Sequence, residues 1–201
     1  MSSNVSTAER PGLLTLTTSR VVTAAVLVAL TIIMGVVPGV GFIPVPTPTG
    51  AATIEHVPTI LGSVLEGPGV GMVTGLTFGL LSFTRATIPL FKDPLVAIVP
   101  RILIGLTPWL VFTALKRVQL DLAAGAAGLV GAATNTFFVL FFAVWRGYLP
   151  MAAIPAILVT SSIWEAILAI ILTIIVTRAV YITRNRITHA RDKKDRSKMA
   201  Y

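Results

Sequence analysis

The chain has 201 residues, of which 55% are hydrophobic and only 12% are charged. A soluble domain carries about 25% charged residues, so this composition excludes a protein with an ordinary water-exposed surface. The absence of cysteine excludes disulfides, thiolate metal sites and cysteine nucleophiles. Several apolar runs reach the ~17–25 residues that cross a bilayer, so we expect an integral membrane protein folded as one helical bundle.

The N-terminal segment predicts a leader, one helix and a stiff loop. Residues 1–19 are polar and lack the apolar core and cleavage pattern of a signal peptide, which predicts a flexible cytoplasmic leader. A first helix is predicted over 20–37, ending at Pro38-Gly39. The segment 39–50 is predicted to be a stiff flap, because proline favours extended backbone in the residue before it and this segment holds Pro44, Pro46 and Pro48.

Two shorter helices follow the flap. The second helix is predicted to begin near Thr53 and to end at Gly67-Pro68, which is short for a full span and indicates a tilted or shielded helix. The third helix is predicted over 69–83. Its glycines recur at four-residue spacing, which predicts a face that packs closely on a neighbouring helix: Gly71, Gly75 and Gly79.

Three longer helices complete the bundle, at 94–115, 122–144 and 151–182. The last helix contains Pro155, where a bend is expected. The basic segment 183–201 is predicted to be a disordered cytoplasmic tail. The fold class is therefore an all-α integral membrane protein, with a six-transmembrane-helix bundle over 20–182.

The distribution of Lys and Arg predicts the orientation of this bundle. Twelve of the sixteen basic residues fall in the termini and in Lys116-Arg117, on one side of the membrane. The opposite side holds three, Arg85, Lys92 and Arg146. Since basic residues are enriched on the inner side, both termini are predicted to be cytoplasmic. The basic tail is expected to face anionic lipid headgroups, and no nucleic acid is expected as a partner.

Polar side chains from four helices are predicted at one depth, in the outer leaflet beneath the flap. A charge inside a span costs at least a few kcal/mol, so each needs a partner or a function. The candidate substrate-binding residues of this layer are Glu55, His56, Arg101, Asn135, Trp164 and Glu165. Phe42, on the flap above them, completes the candidate site.

Each candidate also has an interpretation without substrate. Arg101 either contacts substrate, extends toward the outer headgroups, or pairs with Glu165 inside the bundle. Asn135 is either a ligand contact or an interhelical hydrogen bond. Trp164 either stacks on a ligand or belongs to the core or the interfacial aromatic belt. His56 has no second histidine nearby, so no metal site is predicted.

Catalytic motifs are absent from the sequence. It contains no Gly-x-Ser-x-Gly, no His-Glu-x-x-His and no Gly-rich segment ending in Gly-Lys-Ser/Thr. We therefore expect neither an enzyme nor a bound cofactor. If nucleotide hydrolysis powers transport, another subunit must supply it.

A series of short motifs in the first 115 residues resembles a known family. The series consists of Ala25 and Ala29; Phe42-Ile43-Pro44; Thr53, Ile54, His56 and Pro58; Gly75 and Gly79; and Asp93, Pro94, Pro100 and Arg101. In this order it is similar to the substrate-binding S components of energy-coupling factor (ECF) vitamin transporters. The segment around His56 is most similar to the pantothenate branch.

The resemblance implies a six-helix subunit that captures a vitamin or precursor near the outer face, under a gating loop. It also implies docking on a transmembrane scaffold (T) subunit that is coupled to two cytoplasmic ATPases. Ala25 and Ala29 would form the docking face, although small residues also serve ordinary internal packing. An anionic substrate such as pantothenate suits a buried arginine, since guanidinium binds carboxylate through two hydrogen bonds.

Two other functions remain open at this stage. One is a stand-alone secondary transporter, which would need coupling residues and an internal repeat. The other is a membrane assembly protein that binds no small molecule.

Overall fold

The chain forms a bundle of helices, seen in a computed structural model that describes residues 17–37, 39–44 and 51–199, with side chains for 17–37, 39–41 and 53–187. Four segments are long and apolar enough to cross a membrane: Thr18–Val36, Pro94–Leu115, Leu120–Trp145 and Met151–Ile187. Two shorter apolar helices, Val57–Glu66 and Pro68–Thr84, lie between the first and second of these.

Helix α1 (Thr18–Val36) leads into two short strands, β1 (Phe42–Pro44) and β2 (Ala51–Thr53). The strands pair in antiparallel register, with Phe42 opposite Thr53. The all-α class is confirmed, and the base of the predicted flap adds a short β-ladder that was not predicted. The extended backbone that proline imposes on its predecessor suits this pairing. The tip of the flap, 45–50, lies outside the described residues.

Helix α2 (Val57–Glu66) is the central element of the bundle. It begins four residues later than predicted, because Thr53 is a strand residue and Pro58 occupies the first turn, where proline is preferred. Every residue of α2 except Leu65 is buried. The helix ends at Gly67, whose φ of 100° lies in the left-handed region that glycine adopts without strain.

The segment predicted as one helix over 94–115 is broken into three: α4 (Pro94–Ala97), α5 (Val99–Ile104) and α6 (Thr107–Leu115), preceded by α3 (Pro68–Thr84). The breaks fall just before Pro100 and Pro108. The single-helix prediction was wrong because each proline removes a backbone donor and crowds the preceding turn.

The glycine face of α3 packs against this broken segment, as its spacing predicted. A β-carbon on Gly71 would lie 2.6 Å from the carbonyl oxygen of Gly105. One on Gly79 would lie 2.9 Å from Cα of Ile98. The two backbones therefore approach so closely that glycine is the residue that fits at these positions.

The last part of the chain is α7 (Leu120–Trp145), α8 (Ile154–Ile157), a π-helical turn (Leu158–Ser162) and α9 (Ile163–Met199). The predicted helix over 151–182 is thus interrupted, and it is also longer than predicted. Its backbone continues through the basic segment to Met199, where the sequence analysis expected a disordered tail. Glycine again permits close packing, since a β-carbon on Gly128 would lie 2.7 Å from the carbonyl oxygen of Ala169.

One buried carboxylate joins three helices at the end of α2. The side chain of Glu66 is only 6% exposed. It accepts a hydrogen bond from Thr23 Oγ1 of α1 at 3.1 Å and forms an ion pair with Arg184 of α9. The C-terminal end of α2 is therefore tied to α1 and α9 together.

Candidate functional site

A cavity of about 320 Å³ lies between α3, α5, α7 and the residues that follow β2. Its lining combines charged, amide and aromatic side chains, among them Thr53, Glu55, Phe78, Phe91, Arg101 and Asn135. Three of the predicted site residues, Glu55, Arg101 and Asn135, thus face one space although they lie far apart in the sequence. The volume is in the range of small-molecule sites.

Arg101 is held in place by aromatic rings and by backbone. It is 5% exposed, and its guanidinium lies 5.1 Å from the ring centroids of both Phe78 and Phe91. Cation–π contacts of this kind stabilise a charge that has left water. Its Nη1 donates to the carbonyl oxygen of Val96 at 2.8 Å.

The guanidinium nevertheless keeps unused hydrogen-bonding capacity. In the described part of the chain its Nε has no acceptor, and no carboxylate lies within salt-bridge distance of it. Glu55 and Glu165 are near enough to attract it electrostatically without contact. The direct Arg101–Glu165 pair, one of the alternatives considered above, is not formed.

Asn135 presents its amide to the same cavity from α7. The residue is 7% exposed, and among the described residues its Oδ1 has no hydrogen-bond donor. Buried polar atoms in native proteins normally have partners, so an unpaired one beside a cavity indicates a group meant for a ligand or a water. The interhelical hydrogen bond considered for Asn135 is not made through this oxygen.

Glu55 lies at the base of the flap, half-buried, and lines the cavity from that side. Burial raises the pKa of its carboxyl group above the ordinary value, while the nearby charges of Arg101 and Arg85 oppose that rise. Its backbone N–H donates to Thr53 Oγ1 at 3.3 Å, which fixes the turn between β2 and α2.

Glu165 contacts the flap instead of lining the cavity. Its Oε1 accepts a hydrogen bond from the backbone N–H of Thr53 at 3.3 Å. Because β1 and β2 are paired, this bond links the strand pair to the start of α9. A carboxylate accepting from a backbone N–H forms a charge-assisted bond, which is stronger than a neutral one.

The other candidates lie around the site. His56 is fully buried at the start of α2, and neither ring nitrogen has a partner among the described residues. Trp164 is 37% exposed and does not line the cavity. Phe42 lies in β1, but its side chain is outside the described part of the structure. No group of three His, Asp or Glu suited to a metal occurs in the described ranges.

Among the lining residues that were not predicted as site residues, three determine the surroundings of the charge on Arg101. Phe78 and Phe91 hold the guanidinium, and Arg85 adds a second positive charge to the cavity wall. Phe78 follows Gly75 by three residues, so the glycine face of α3 could have located it on the same side of the helix. Phe91 lies in a short 3-10 helix, Pro89–Lys92, and carries no comparable sequence signal.

The predicted docking residues are on the surface of the bundle. Ala25 and Ala29 are exposed on α1, whose buried residues are only Leu27, Thr31 and Met34. In the described part of the bundle, the face of α1 that carries the two alanines is therefore exposed.

Fold and cavity together define a helical membrane protein with a polar, ligand-sized site beneath a β-stranded flap. The family model described as ECF transporter, substrate-specific component, matches residues 19–177. The chain belongs to this family. It is therefore a multi-pass protein of the cell membrane, consistent with its four long apolar segments.

Individual relatives agree with this placement. The chain is 35% identical over 158 residues to the pantothenic acid transporter PanT of Lactococcus lactis subsp. cremoris (strain MG1363), covering 66% of this chain and 79% of that protein. It also matches a solved structure of the S component of a bacterial ECF transporter, with a TM-score of 0.58 and 18% identity. That match covers 82% of this chain and 96% of the other.

Proposed function

We propose that the protein is the substrate-capture subunit of a vitamin importer and that its substrate is pantothenate or a similarly small anionic vitamin. The relative named as a pantothenic acid transporter supports the substrate class. The observation that carries the proposal is the buried Arg101, which faces a cavity with no carboxylate in contact among the described residues. A buried charge of this kind is stabilised when an anion binds it.

The chemistry of the cavity matches the groups of pantothenate. Arg101 binds the carboxylate, since guanidinium donates two parallel hydrogen bonds to such a group. Asn135 Oδ1 accepts from a hydroxyl or amide N–H of the substrate. Glu55 supplies a second acceptor at the flap side, while Glu165 holds the flap. His56 supports the cavity floor, and Phe42 and Trp164 add apolar contacts when the flap closes.

The topology proposed for this function has six spans, with both termini in the cytoplasm. The four long segments cross the membrane, and α2 and α3 form two shorter spans shielded by their neighbours. Twelve basic residues fall on the side of the termini and three on the opposite side, which supports this orientation. The cavity then lies toward the outside, where a scarce vitamin is captured.

The proposed subunit performs no catalysis. Transport is driven by a transmembrane T subunit and two cytoplasmic ATPases, and the exposed Ala25/Ala29 face of α1 docks on the T subunit. Small residues allow the close helix approach that such docking requires. In this proposal the bundle comprises residues 20–182, and residues 1–19 and 183–201 are its cytoplasmic extensions.

Ligand binding by the isolated subunit tests the proposal directly. The purified chain, without ATP or partner subunits, is screened by thermal shift against a panel of B vitamins and their precursors. Pantothenate or another carboxylate-bearing vitamin is expected to raise the unfolding temperature. A shift with uncharged vitamins alone, or with none of the panel, would contradict the proposal.

A further inference from the structure

A second cavity, separate from the Arg101 site, lies between α7 and the α8–α9 segment. Its volume is about 700 Å³ and its lining contains no charged side chain. The walls are formed mainly by large apolar groups, including Phe137, Phe141, Trp145, Met151, Leu158 and Ile163. Neither the sequence motifs nor the proposed substrate accounts for this groove, because none of the described residues that line it offers a positive charge to an anionic vitamin.

The groove exists because α7 and α9 are in contact at one point along their length and separate from there toward one end. At Gly128 the backbone of α7 lies against that of Ala169 in α9. From Ala132 and Ala166 outward the walls separate, and the α9 side continues into the π-helical turn Leu158–Ser162. The extra residue of a π-turn rotates the preceding segment relative to the rest of the helix.

The length of the groove matches one leaflet of a bilayer. Its α7 wall runs from Ala132 to Trp145, which at 1.5 Å per residue is roughly 20 Å. Half of a hydrocarbon core is about 15 Å thick. The groove is open along its side, since Phe137 is 62% and Met151 73% exposed.

The end of the groove near the membrane surface carries groups suited to a phospholipid head. Trp145 lines this end and is 66% exposed, as expected for an interfacial aromatic residue. Arg146 follows it directly, with Nε bound to Asp93 and its side chain 48% exposed. Lys92 is adjacent to Asp93 and exposed. The two cations and one carboxylate leave a net positive charge at the mouth.

From the apolar lining, leaflet-matched length, lateral opening and cationic mouth, we infer that this groove binds one acyl chain of an outer-leaflet phospholipid. The headgroup phosphate lies against Arg146 and Lys92. The chain fills the space that α7 and the α8–α9 segment leave between them. This site stands whether or not the substrate of the Arg101 cavity is pantothenate.

Native mass spectrometry of the full chain in detergent, supplied with dioleoylphosphatidylglycerol, tests the site. The expected result is one tightly retained phospholipid per chain. Ala133→Phe places a ring in the groove from an exposed position and should lower the retained fraction at least fivefold. Ala179→Phe, at an exposed position of α9 outside the groove, is the matched control and should retain the lipid.

A second measurement uses the unaltered chain, so that it does not depend on a variant folding. Phosphatidylglycerol with a photoreactive group at the end of its acyl chain is expected to label residues 132–136 or 158–166 preferentially. Any of four results would overturn the inference: uniform labelling of all exposed spans, equal lipid retention by both variants, no retained lipid, or a second copy of the chain in place of the lipid.

Discussion

The carbonyl oxygen of Arg101 lies so near Gly75 that a β-carbon at residue 75 would come within 2.1 Å of it. Real β-carbons do not approach backbone oxygen so closely, so any side chain larger than hydrogen must displace α5. Since Arg101 is the charged wall of the cavity, the small residue on α3 sets the position of the guanidinium on α5.

We therefore predict that Gly75→Ala weakens substrate binding at least tenfold and lowers the unfolding temperature. The reason is displacement of the Arg101 backbone, because both helices are packed through backbone atoms at this point. Titration calorimetry and thermal unfolding measure the two effects. Gly125→Ala is the control, since the nearest atoms to the added methyl group belong to side chains and not to backbone, at 3.2 Å for Ile174 and 3.6 Å for Ile170. Equal affinities of the two variants would contradict the prediction.

The second prediction concerns the charge of Arg101 itself. Arg101→Gln should weaken binding of the anionic substrate by tenfold or more, because a charge-assisted hydrogen bond is worth about 1.5–3 kcal/mol. Arg101→Lys keeps the charge but cannot donate two parallel hydrogen bonds, so we expect an intermediate affinity. Arg178→Gln, at an exposed position, serves as the control. If both Arg101 variants bound the substrate with wild-type affinity, the guanidinium would not be part of the binding site.

The third prediction separates two roles for Glu165. One possibility is that Glu165 holds the flap by accepting a hydrogen bond from the backbone N–H of Thr53. In that case Glu165→Gln keeps an acceptor oxygen, and the substrate should dissociate from this variant at a nearly normal rate. Glu165→Ala loses the bond and should release substrate several-fold faster. Stopped-flow measurement of release distinguishes the variants. Equally fast release by both would indicate that the negative charge matters, and not the link to the flap.

The fourth prediction is a pH dependence of stability that arises from the ion pair between Asp93 and Arg146. The Arg146 guanidinium donates Nε–H to Asp93 Oδ2 at 2.6 Å, and this bond holds the pKa of Asp93 below its ordinary value. A lowered folded-state pKa stabilises the protein above the ordinary Asp pKa of about 3.9, and that contribution is lost as the pH falls through the folded value.

Thermal unfolding between pH 7 and pH 3 measures this contribution. Arg146→Gln should unfold at a lower temperature than the wild type at pH 7, and the difference should narrow as the pH falls below about 4. Asp93 also accepts from the N–H of Leu95 at the start of α4, a bond that the Arg146 variant keeps. A difference that is constant across the pH range would contradict the ion-pair explanation.

The fifth prediction separates capture from transport. Ala25→Phe and Ala29→Phe enlarge exposed positions of α1, so both variants should bind substrate normally when isolated. Uptake into cells that contain the partner subunits should fall strongly, because the bulky ring blocks close helix approach. Ala179→Phe is again the control. Unimpaired uptake would place the docking surface elsewhere on the subunit.

The sequence predicted the bundle where a pattern is local and strong. Hydrophobic length located α1 and α7 to within a few residues but missed the continuation of α9 to Met199, and the glycine spacing of α3 predicted its packing on the next segment. The same approach overlooked the breaks at Pro100 and Pro108, because overall apolar length outweighed the two prolines. The pairing of β1 with β2 depends on strands only three residues long, for which alternation gives little signal.

The candidate site was predictable only in part. A polar residue inside an apolar span is visible in the sequence, which is how Arg101 and Asn135 were found. The direction in which each side chain points depends on helix rotation, and this decides that Asn135 faces the cavity while Trp164 does not. The aromatic pair around Arg101 comes from α3 and from the short 3-10 helix Pro89–Lys92, a combination that no spacing rule predicts.

The buried Glu66, shared by Thr23 of α1 and Arg184 of α9, has a mechanical consequence for the transport cycle. A partner that binds α1 is therefore also connected to α2 and α9, since all three helices meet at the Glu66 carboxylate. Under the proposed docking through α1, force applied to this helix would therefore reach α2 and α9 as well.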